Sequence, residues 1–277
     1  MSERSFLSRV RQILPDLPPA ERKLGELVRD FPGELASFSA SELADLAAVS
    51  NATVSRFVRR LGYASYDEAR RHARIEKASG SRLFLDAARE GGAQDPQSYA
   101  QTDMRNVMNT IEPIAQERID SLAQTMLGAR KVWVIGFRAG APLAHYVQWQ
   151  LLQVLENSVA LPGHGQTMGE HIAGVQAADV VILFGLRRRV AFLEDLMTGL
   201  AQSGAKVALI TDESMGLRAD VAWHFRCTTE SSGPLFSHVG VMALLNLIAN
   251  RTIALAGDAG RKRLARIEAA NDLLGEL

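Results

Sequence analysis

The chain has 277 residues, 47% of them hydrophobic, so it is long enough for two domains that each bury a core. Its 31 basic and 31 acidic residues balance, which excludes a strong overall attraction to nucleic acid or membrane and leaves local charge to act. A single cysteine excludes an internal disulfide and a cysteine-rich metal site, and the lack of a long uncharged apolar run predicts a cytoplasmic protein without a membrane span.

Two amphipathic helices are predicted at the start of the chain. The first runs from Ser5 to Leu14 and stops before Pro15. The second opens at Pro18-Pro19 and ends at Pro32-Gly33. We expect both helices to cover the back of the segment that follows.

The segment from Phe38 to Leu61 is predicted to form two short helices joined by a tight turn. Ser39 and Glu42 have the spacing of a capping box, which starts the first helix. Ser50 is the expected N-cap of the second helix, and Gly62 is the residue expected to end it.

The second of these helices has an apolar face and a basic face. Val54, Phe57, Val58 and Leu61 recur at i, i+3, i+4 and i+7, which predicts one buried stripe. The opposite face combines arginine with small residues, as entry into a DNA major groove requires, because arginine donates two bonds to guanine and small side chains permit close approach. The residues predicted to contact DNA are Ser41, Ser50, Asn51, Ala52, Thr53, Ser55, Arg56, Arg59 and Arg60. A solvated helix in a protein-interaction domain is the alternative.

Residues 40–73, ASELADLAAVSNATVSRFVRRLGYASYDEARRHA, closely resemble the N-terminal helix-turn-helix domain of the MurR/RpiR family of bacterial transcription regulators. The resemblance is carried by the spacing of Glu42-Leu43-Ala44, Val49-Ser50, Ala52-Thr53-Val54, Arg56-Phe57 and Leu61-Gly62-Tyr63. It implies a DNA-binding domain over residues 1–78 that is followed by a SIS (sugar isomerase) domain.

Beyond Gly62 the chain is predicted to form a basic helix and then a linker. Residues 50–77 contain seven basic and three acidic residues, which makes this stretch the predicted phosphate footprint. Glycine and serine in the 79–96 segment predict a linker, with a short amphipathic piece at Leu83 to Arg89. The second domain is then predicted over residues 97–277.

The second domain alternates short apolar runs with helical patterns, after a helical stretch from Gln97 to Leu127 that Pro113 interrupts. Strands are predicted at 132–135, 158–161, 180–184, 207–210 and 221–225. Helices are predicted at 142–155, 166–173, 192–203, 216–219, 236–255 and 260–274. The predicted fold class is therefore an all-α helix-turn-helix domain followed by an α/β doubly wound parallel sheet.

The element order and the segments ADVVILF, GAKVALITD and RADVAWHF resemble the SIS domain, which implies phosphosugar binding through loops rich in serine and threonine. This chain departs from that pattern: Gly140 stands where a serine is common, residues 184–190 read FGLRRRV, and Met215 replaces a common Ser-Pro pair. Ligands of open α/β sheets bind beyond the carboxyl ends of the strands, and arginine grips phosphate or carboxylate bidentately. We therefore expect an anionic metabolite, a sugar phosphate or a carboxylate, at Gly136, Phe137, Arg138, Gly140, Arg187, Arg188, Arg189, Glu230 and Ser231. A solvated arginine loop or an oligomer contact, in a domain that has lost its ligand, remains the alternative.

Other chemistries have weaker support in the sequence. A sugar-phosphate isomerase would need a carboxylate or histidine near a carbonyl, for which Glu230 and His238 are candidates, but its phosphate cradle is eroded. His164, Glu170 and His171 lack a further ligand for a metal, and GFRAGA at 136–141 lacks the three glycines of a dinucleotide loop, so no cofactor is expected.

The sequence as a whole predicts a transcription regulator that binds a double-stranded DNA operator and senses a small anionic metabolite. A homodimer or homotetramer is expected, because one helix covers few base pairs and paired half-sites lie about 34 Å apart.

Overall fold

The computed structural model describes residues 6–30, 38–78, 95–231, 233 and 235–275. The chain divides into two compact units, one formed by residues 1–96 with 232–235 and the other by residues 97–231 with 236–277. Residues 79–94 of the linker predicted over 79–96, its amphipathic piece and the predicted helix end at Pro32-Gly33 lie outside the described residues.

The described part of the first unit is helical. Its elements are α1 (Phe6–Ile13), a 3₁₀ turn (Leu14–Asp16), α2 (Pro19–Asp30), α3 (Ala40–Leu46), α4 (Asn51–Arg60) and α5 (Tyr66–Ala78). Phe57 of α4 is fully buried against the same core as Phe6 of α1 and Leu24 of α2. Burial of each such side chain stabilises the unit by about 1.5–3 kcal/mol. Gly25 permits this packing, because a Cβ there would lie 2.6 Å from Leu14 Cδ1.

The ends of α3 and α4 confirm the predicted caps. Ser39 N–H donates to Glu42 Oε2 at 2.6 Å and Glu42 N–H donates to Ser39 Oγ at 3.2 Å, which is the reciprocal capping box. Ser50 Oγ accepts the Thr53 N–H at 3.2 Å. Gly62 has a φ of +88°, the left-handed conformation that a glycine after a helix adopts at little cost. Two short helices around a tight turn are therefore present as predicted.

The second unit is a helix-covered parallel sheet. Its helices are α6 (Pro96–Ile111, where Pro96 falls at the unit boundary), α7 (Gln116–Leu127), α8 (Gly140–Leu152), α9 (Gly169–Ile172), α10 (Leu193–Ser203), α11 (Val239–Leu255) and α12 (Gly257–Leu274). Its strands are β1 (Val132–Ile135), β2 (Ser158–Leu161), β3 (Val180–Gly185), β4 (Lys206–Asp212) and β5 (Trp223–Cys227). Among the described residues the strand order is β2-β1-β3-β4-β5, with every pairing parallel, which confirms the predicted fold class.

Both faces of this sheet are buried. Val132 and Val134 of β1 pack into one hydrophobic cluster, and their neighbours Trp133 and Ile135 pack into another on the opposite face. Successive side chains of a strand point to opposite faces, so the unbroken apolar run of β1 serves two cores. Cys227 of β5 lies fully buried in the first cluster.

The helix predicted at 216–219 was wrong. The chain between β4 and β5 forms turns, and its polar contacts go to neighbouring side chains. His224 Nδ1 accepts the Arg218 N–H at 3.1 Å, so His224 Nε2 carries the proton and faces Thr211 Oγ1 at 2.9 Å. The Arg218 guanidinium is held by Glu194 and Asp220, both at 2.7 Å. These contacts satisfy the loop without helical hydrogen bonds.

Among the described residues no single helix is long and apolar enough to cross a membrane. Val239–Leu255 and Gly257–Leu274 reach that length and composition only as a pair, and they are bent by 103° at their junction.

Candidate functional site

The exposed face of α4 carries most of the residues predicted to contact DNA. Val54, Phe57, Val58 and Leu61 are buried, as their spacing predicted, which leaves the other side of the helix to solvent. The exposed residues of the predicted set are Ser41, Ser50, Asn51, Ala52, Ser55, Arg56, Arg59 and Arg60. We call this surface the reading face.

Thr53 is placed differently from the expectation. It is only 4% exposed, and its hydroxyl lies 2.9 Å from Ser50 Oγ and accepts from Arg56 Nη2 at 3.1 Å. The third residue of a helix lies back over the N-cap, so this hydroxyl is engaged inside the first turn of α4. Thr53 is therefore a residue that orders the cap and Arg56, and it is withdrawn from the predicted base contacts.

A buried carboxylate of α2 contacts two arginines of the reading face. Glu21 is 4% exposed, accepts from Arg60 Nε at 2.9 Å, and lies 3.9 Å from Arg56 Nε through its other oxygen. The sequence interpretation missed Glu21, because an acid in the first turn of a helix is ordinary. The available signal was its position three residues before Leu24 and seven before Val28, on the apolar stripe, where a charge needs a partner.

Helix α5 extends the basic surface of the first unit. Arg71 and Arg74 are exposed and Arg70 is partly exposed. Cations on a solvent-facing helix attract DNA phosphates whatever the base sequence, and the strength of that attraction falls as salt rises.

In the second unit, the loops after β1 and β3 meet at the carboxyl edge of the sheet. Since β1 lies between β2 and β3, this is the switch point at which ligands of open α/β sheets bind. The Phe137 ring contacts the Phe192 ring edge to face, with centroids 5.0 Å apart. Gly136 and Gly140 are required by close packing, because a Cβ on Gly136 would lie 2.1 Å from the Gly140 carbonyl oxygen.

Arg138 occupies a strained position in the first of these loops. Its φ is +53°, in the left-handed region that costs a residue with a Cβ about 1–2 kcal/mol, and its side chain is exposed. Its carbonyl accepts the Ala141 N–H in the first turn of α8. The loop thus presents an arginine where glycine or asparagine would be less strained.

The arginines after β3 are anchored by Asp212, the last residue of β4. The fully buried Asp212 carboxylate lies 3.1 Å from Arg187 Nη2, accepts the Arg187 backbone N–H at 2.8 Å, and accepts from Arg189 Nη2 at 2.8 Å. Ser214 donates to it through its backbone N–H at 2.9 Å and through its hydroxyl. We call these four residues the Asp212 cluster. Burial alone would raise the pKa of Asp212, but Arg189, Ser214 and Arg187 together hold that pKa below its usual value.

This cluster separates the four predicted ligand arginines into two pairs. Arg187, 5% exposed, and Arg189 are tied to Asp212, whereas Arg138 and Arg188 are exposed. The loop is thus not a solvated arginine run throughout. An acid that ends a strand was visible in the sequence, but its position next to β3 depends on a strand order that periodicity does not give.

The ligand residues predicted after β5 lie away from the loop after β1, because β5 is an edge strand of the sheet. Glu230 is exposed and Ser231 is half-buried, beyond an edge strand that β3 and β4 separate from β1. The Glu230 backbone carbonyl accepts from Asn106 Nδ2 at 2.7 Å. The same loop reaches the Asp212 cluster through Phe236, whose ring lies 5.1 Å from the Arg187 guanidinium carbon.

Two of the candidate metal ligands of the second crossover bond to neighbouring polar groups. His171 Nε2 lies 3.0 Å from Gln166 Oε1, and Glu170 accepts from the Thr167 hydroxyl. Within the described residues, no three side chains of histidine, cysteine, aspartate or glutamate converge as a metal site would require.

Comparison with known proteins matches both units. Residues 4–80 match the family model of the "Helix-turn-helix domain, rpiR family", and residues 125–251 match that of the SIS domain. The transcriptional regulator HexR of Pseudomonas aeruginosa is 25% identical over 214 residues, which cover 75% of this chain and 73% of HexR.

Solved structures that share the fold include the following two. The sugar isomerase domain of an RpiR transcription factor from Sphaerobacter thermophilus has a TM-score of 0.58 at 21% identity, covering 64% of this chain and 99% of that domain. Vibrio vulnificus NanR, complexed with ManNAc-6P, has a TM-score of 0.52 at 15% identity over 98% of this chain and 99% of NanR. The capped helix pair, the parallel sheet and both family matches agree, and the chain belongs to the RpiR family of DNA-binding transcription regulators, with an N-terminal helix-turn-helix domain and a C-terminal SIS domain.

Proposed function

We propose that this regulator places its reading face in the DNA major groove as part of a two-fold assembly, and that an anionic metabolite at the switch point of the sheet alters its operator affinity. One reading helix contacts few base pairs, so two copies about one turn of DNA apart supply both affinity and selectivity. The balanced net charge supports this arrangement, because the charge of the whole chain adds no attraction to DNA beyond that of the basic surface on α4 and α5.

The effector proposal rests on the conformation and exposure of Arg138. Its strained backbone and exposed side chain lie in the loop after β1, at the switch point, and exposed Arg188 lies in the loop after β3 that Phe137 and Phe192 bring close. Strained backbone that persists in a fold is concentrated at ligand sites. Two guanidinium groups of this kind suit a phosphate or a carboxylate, and a phosphorylated sugar, the class of ligand held by NanR, is the first candidate.

We also infer that the second unit binds its ligand without catalysing a reaction on it. The buried carboxylate nearest this loop system, Asp212, is engaged by two guanidinium groups and by Ser214, so it does not act as a general base. Glu230, the carboxylate considered for this role from the sequence, lies beyond β5, which β3 and β4 separate from β1. Incubation of the full chain with sugar phosphates, followed by NMR, should show no isomerisation.

Ligand-induced stabilisation tests the effector site. ManNAc-6P, inorganic phosphate and citrate are added to wild type and to Arg138→Ala and Arg188→Ala, and unfolding is followed by tryptophan fluorescence. A ligand at 100 times its Kd stabilises by about 2.7 kcal/mol, or about 5–10 °C for a unit of this size. We expect the active ligand to lose this shift in both variants and to keep it in Arg261→Ala, an exposed control on α12. An equal shift in all four proteins would refute the assignment.

The effect of the effector on DNA is measured by anisotropy of a labelled duplex that wild type selects from a random library. A coupling of about 1–3 kcal/mol corresponds to a 5- to 150-fold change in operator affinity. A ligand that stabilises the protein without changing its affinity for the duplex would contradict effector control. It would favour a SIS domain that serves only in oligomerisation.

A further inference from the structure

We propose that Glu21 is the positioning residue of the reading face and that it sets sequence discrimination, although it touches no DNA itself. This inference rests on the proposed DNA-reading function. The buried Glu21 carboxylate fixes the guanidinium of Arg60 and draws Arg56 against Thr53, so that both arginines meet DNA in one preset direction.

The contacts form a continuous chain across α2 and α4. Arg60 Nε donates to Glu21 Oε2 at 2.9 Å, and Arg56 Nε lies 3.9 Å from Glu21 Oε1. Arg56 Nη2 in turn donates to Thr53 Oγ1 at 3.1 Å, and Thr53 shares a hydrogen bond of 2.9 Å with Ser50, the N-cap of α4. Each guanidinium has five N–H donors, so both arginines keep donors for DNA after these contacts.

The difference in exposure shows which partner orders the other. The Glu21 side chain is 5% exposed, whereas the Arg56 and Arg60 side chains are 59% and 50% exposed. A buried side chain has few accessible rotamers, so the Glu21 carboxylate is held in place. Its contacts then limit the rotamers of the two exposed arginines. An arginine that is ordered before binding loses less side-chain freedom in the complex, so its contact with the matching base is stronger.

The Glu21 charge has a second effect, on DNA in general. It cancels about one positive charge at the edge of the reading face, because it pairs with Arg60 at hydrogen-bond distance. Attraction to phosphates is weakened for every duplex alike, whereas the oriented donors favour the duplex whose bases they fit. Glu21 therefore raises the ratio of specific to non-specific affinity in two ways: it weakens attraction to every duplex, and it orients the donors that favour the matching duplex.

The test compares Glu21→Gln with Glu26→Gln, which removes the same charge roughly 140° further around α2. Full-length proteins are titrated with the duplex that wild type selects from a random library and with poly(dI-dC), over a series of salt concentrations. We expect Glu21→Gln to lower the ratio of specific to non-specific affinity about tenfold. We also expect it to steepen the salt dependence on poly(dI-dC) by about one phosphate equivalent, whereas Glu26→Gln changes neither quantity.

A double-mutant comparison separates positioning from a fold defect. If Glu21 acts through its two arginines, Glu21→Gln has no further effect on the ratio when Arg56 and Arg60 are both alanine, and keeps its effect when Arg59 is alanine. Amide exchange of α4 reports whether the variant remains folded. A parallel loss on both duplexes would show a purely structural role and overturn the inference. Failure of wild type to select any sequence would instead overturn the DNA-reading function, and the inference with it.

Discussion

Replacement of Asp212 by asparagine gives the sharpest test of the cluster that anchors the arginine loop. The fully buried carboxylate faces Arg187 at 3.1 Å and Arg189 at 2.8 Å, and asparagine keeps its shape but removes its charge. Arg187 is then left 5% exposed with its counter-charge gone. Removal of one partner from a buried ion pair costs about 3–5 kcal/mol, because the remaining charge stays desolvated.

The expected loss is large enough to measure in the intact protein. For a unit of 150–250 residues, each kcal/mol shifts the unfolding temperature by about 2–4 °C, so Asp212→Asn should unfold about 6–20 °C below wild type. All three tryptophans, Trp133, Trp149 and Trp223, lie in the second unit, so their fluorescence reports that unit alone.

The control is Asp195→Asn, which neutralises an exposed acid on α10 and should shift unfolding by less than about 2 °C. Inorganic phosphate provides a further arm. In the Asp212 variant the two arginines lack their internal anion, so phosphate should raise the unfolding temperature of the variant more than that of wild type. An Asp212→Asn protein that unfolds within 2 °C of wild type would show that the cluster does not hold the loop.

The N-cap of α4, the basic surface of the first unit and the buried His224 can each be tested by one substitution or one pair of substitutions. Ser50→Ala should destabilise the N-terminus of α4 by about 0.5–2 kcal/mol, seen as faster exchange of the Thr53 amide, with little change in tryptophan-monitored unfolding. Arg56→Ala should cost about 1–3 kcal/mol on the selected duplex and relax base preference, whereas Arg70→Ala should weaken all duplexes alike and lower the salt slope, both measured by anisotropy. Burial and neighbouring arginines lower the pKa of His224 below its usual 6.5, so its stabilising contribution is complete above about pH 6.5 and is lost as pH falls; His224→Gln should make unfolding temperature less sensitive to pH between 7 and 5.5.

Local patterns predicted the elements whose stability is itself local. The capping box at Ser39 and the N-cap at Ser50 are contacts over three residues, so their residue types and spacing sufficed to place α3 and α4. The unbroken apolar run of β1 likewise reported burial on both faces, which is a property of the run itself.

Long-range polar contacts were beyond the reach of those patterns. Asp212 and Arg187 are 25 residues apart, and they meet because β3 and β4 are neighbours in the sheet. Glu21 and Arg60 are 39 residues apart and meet across α2 and α4. The helix predicted at 216–219 is not formed, and the Arg218 backbone N–H in this segment donates to His224 of β5. The polar contacts of these residues could be predicted only once the tertiary packing was known.

The two units share one arrangement on the surfaces that we propose to bind DNA and effector. In each, one buried carboxylate holds two arginines: Glu21 holds Arg60 and restrains Arg56, and Asp212 holds Arg187 and Arg189. An arginine paired with a buried carboxylate has a fixed guanidinium orientation. Its electrostatic attraction to distant anions is weaker, because the nearby carboxylate largely cancels its charge. Binding by such a surface depends on geometric fit more than on net charge, in agreement with a chain whose charges sum to zero. We expect a regulator of this kind to discriminate between sequences and to hold DNA weakly through one reading face, which favours the proposed pairing of two reading faces for stable operator binding.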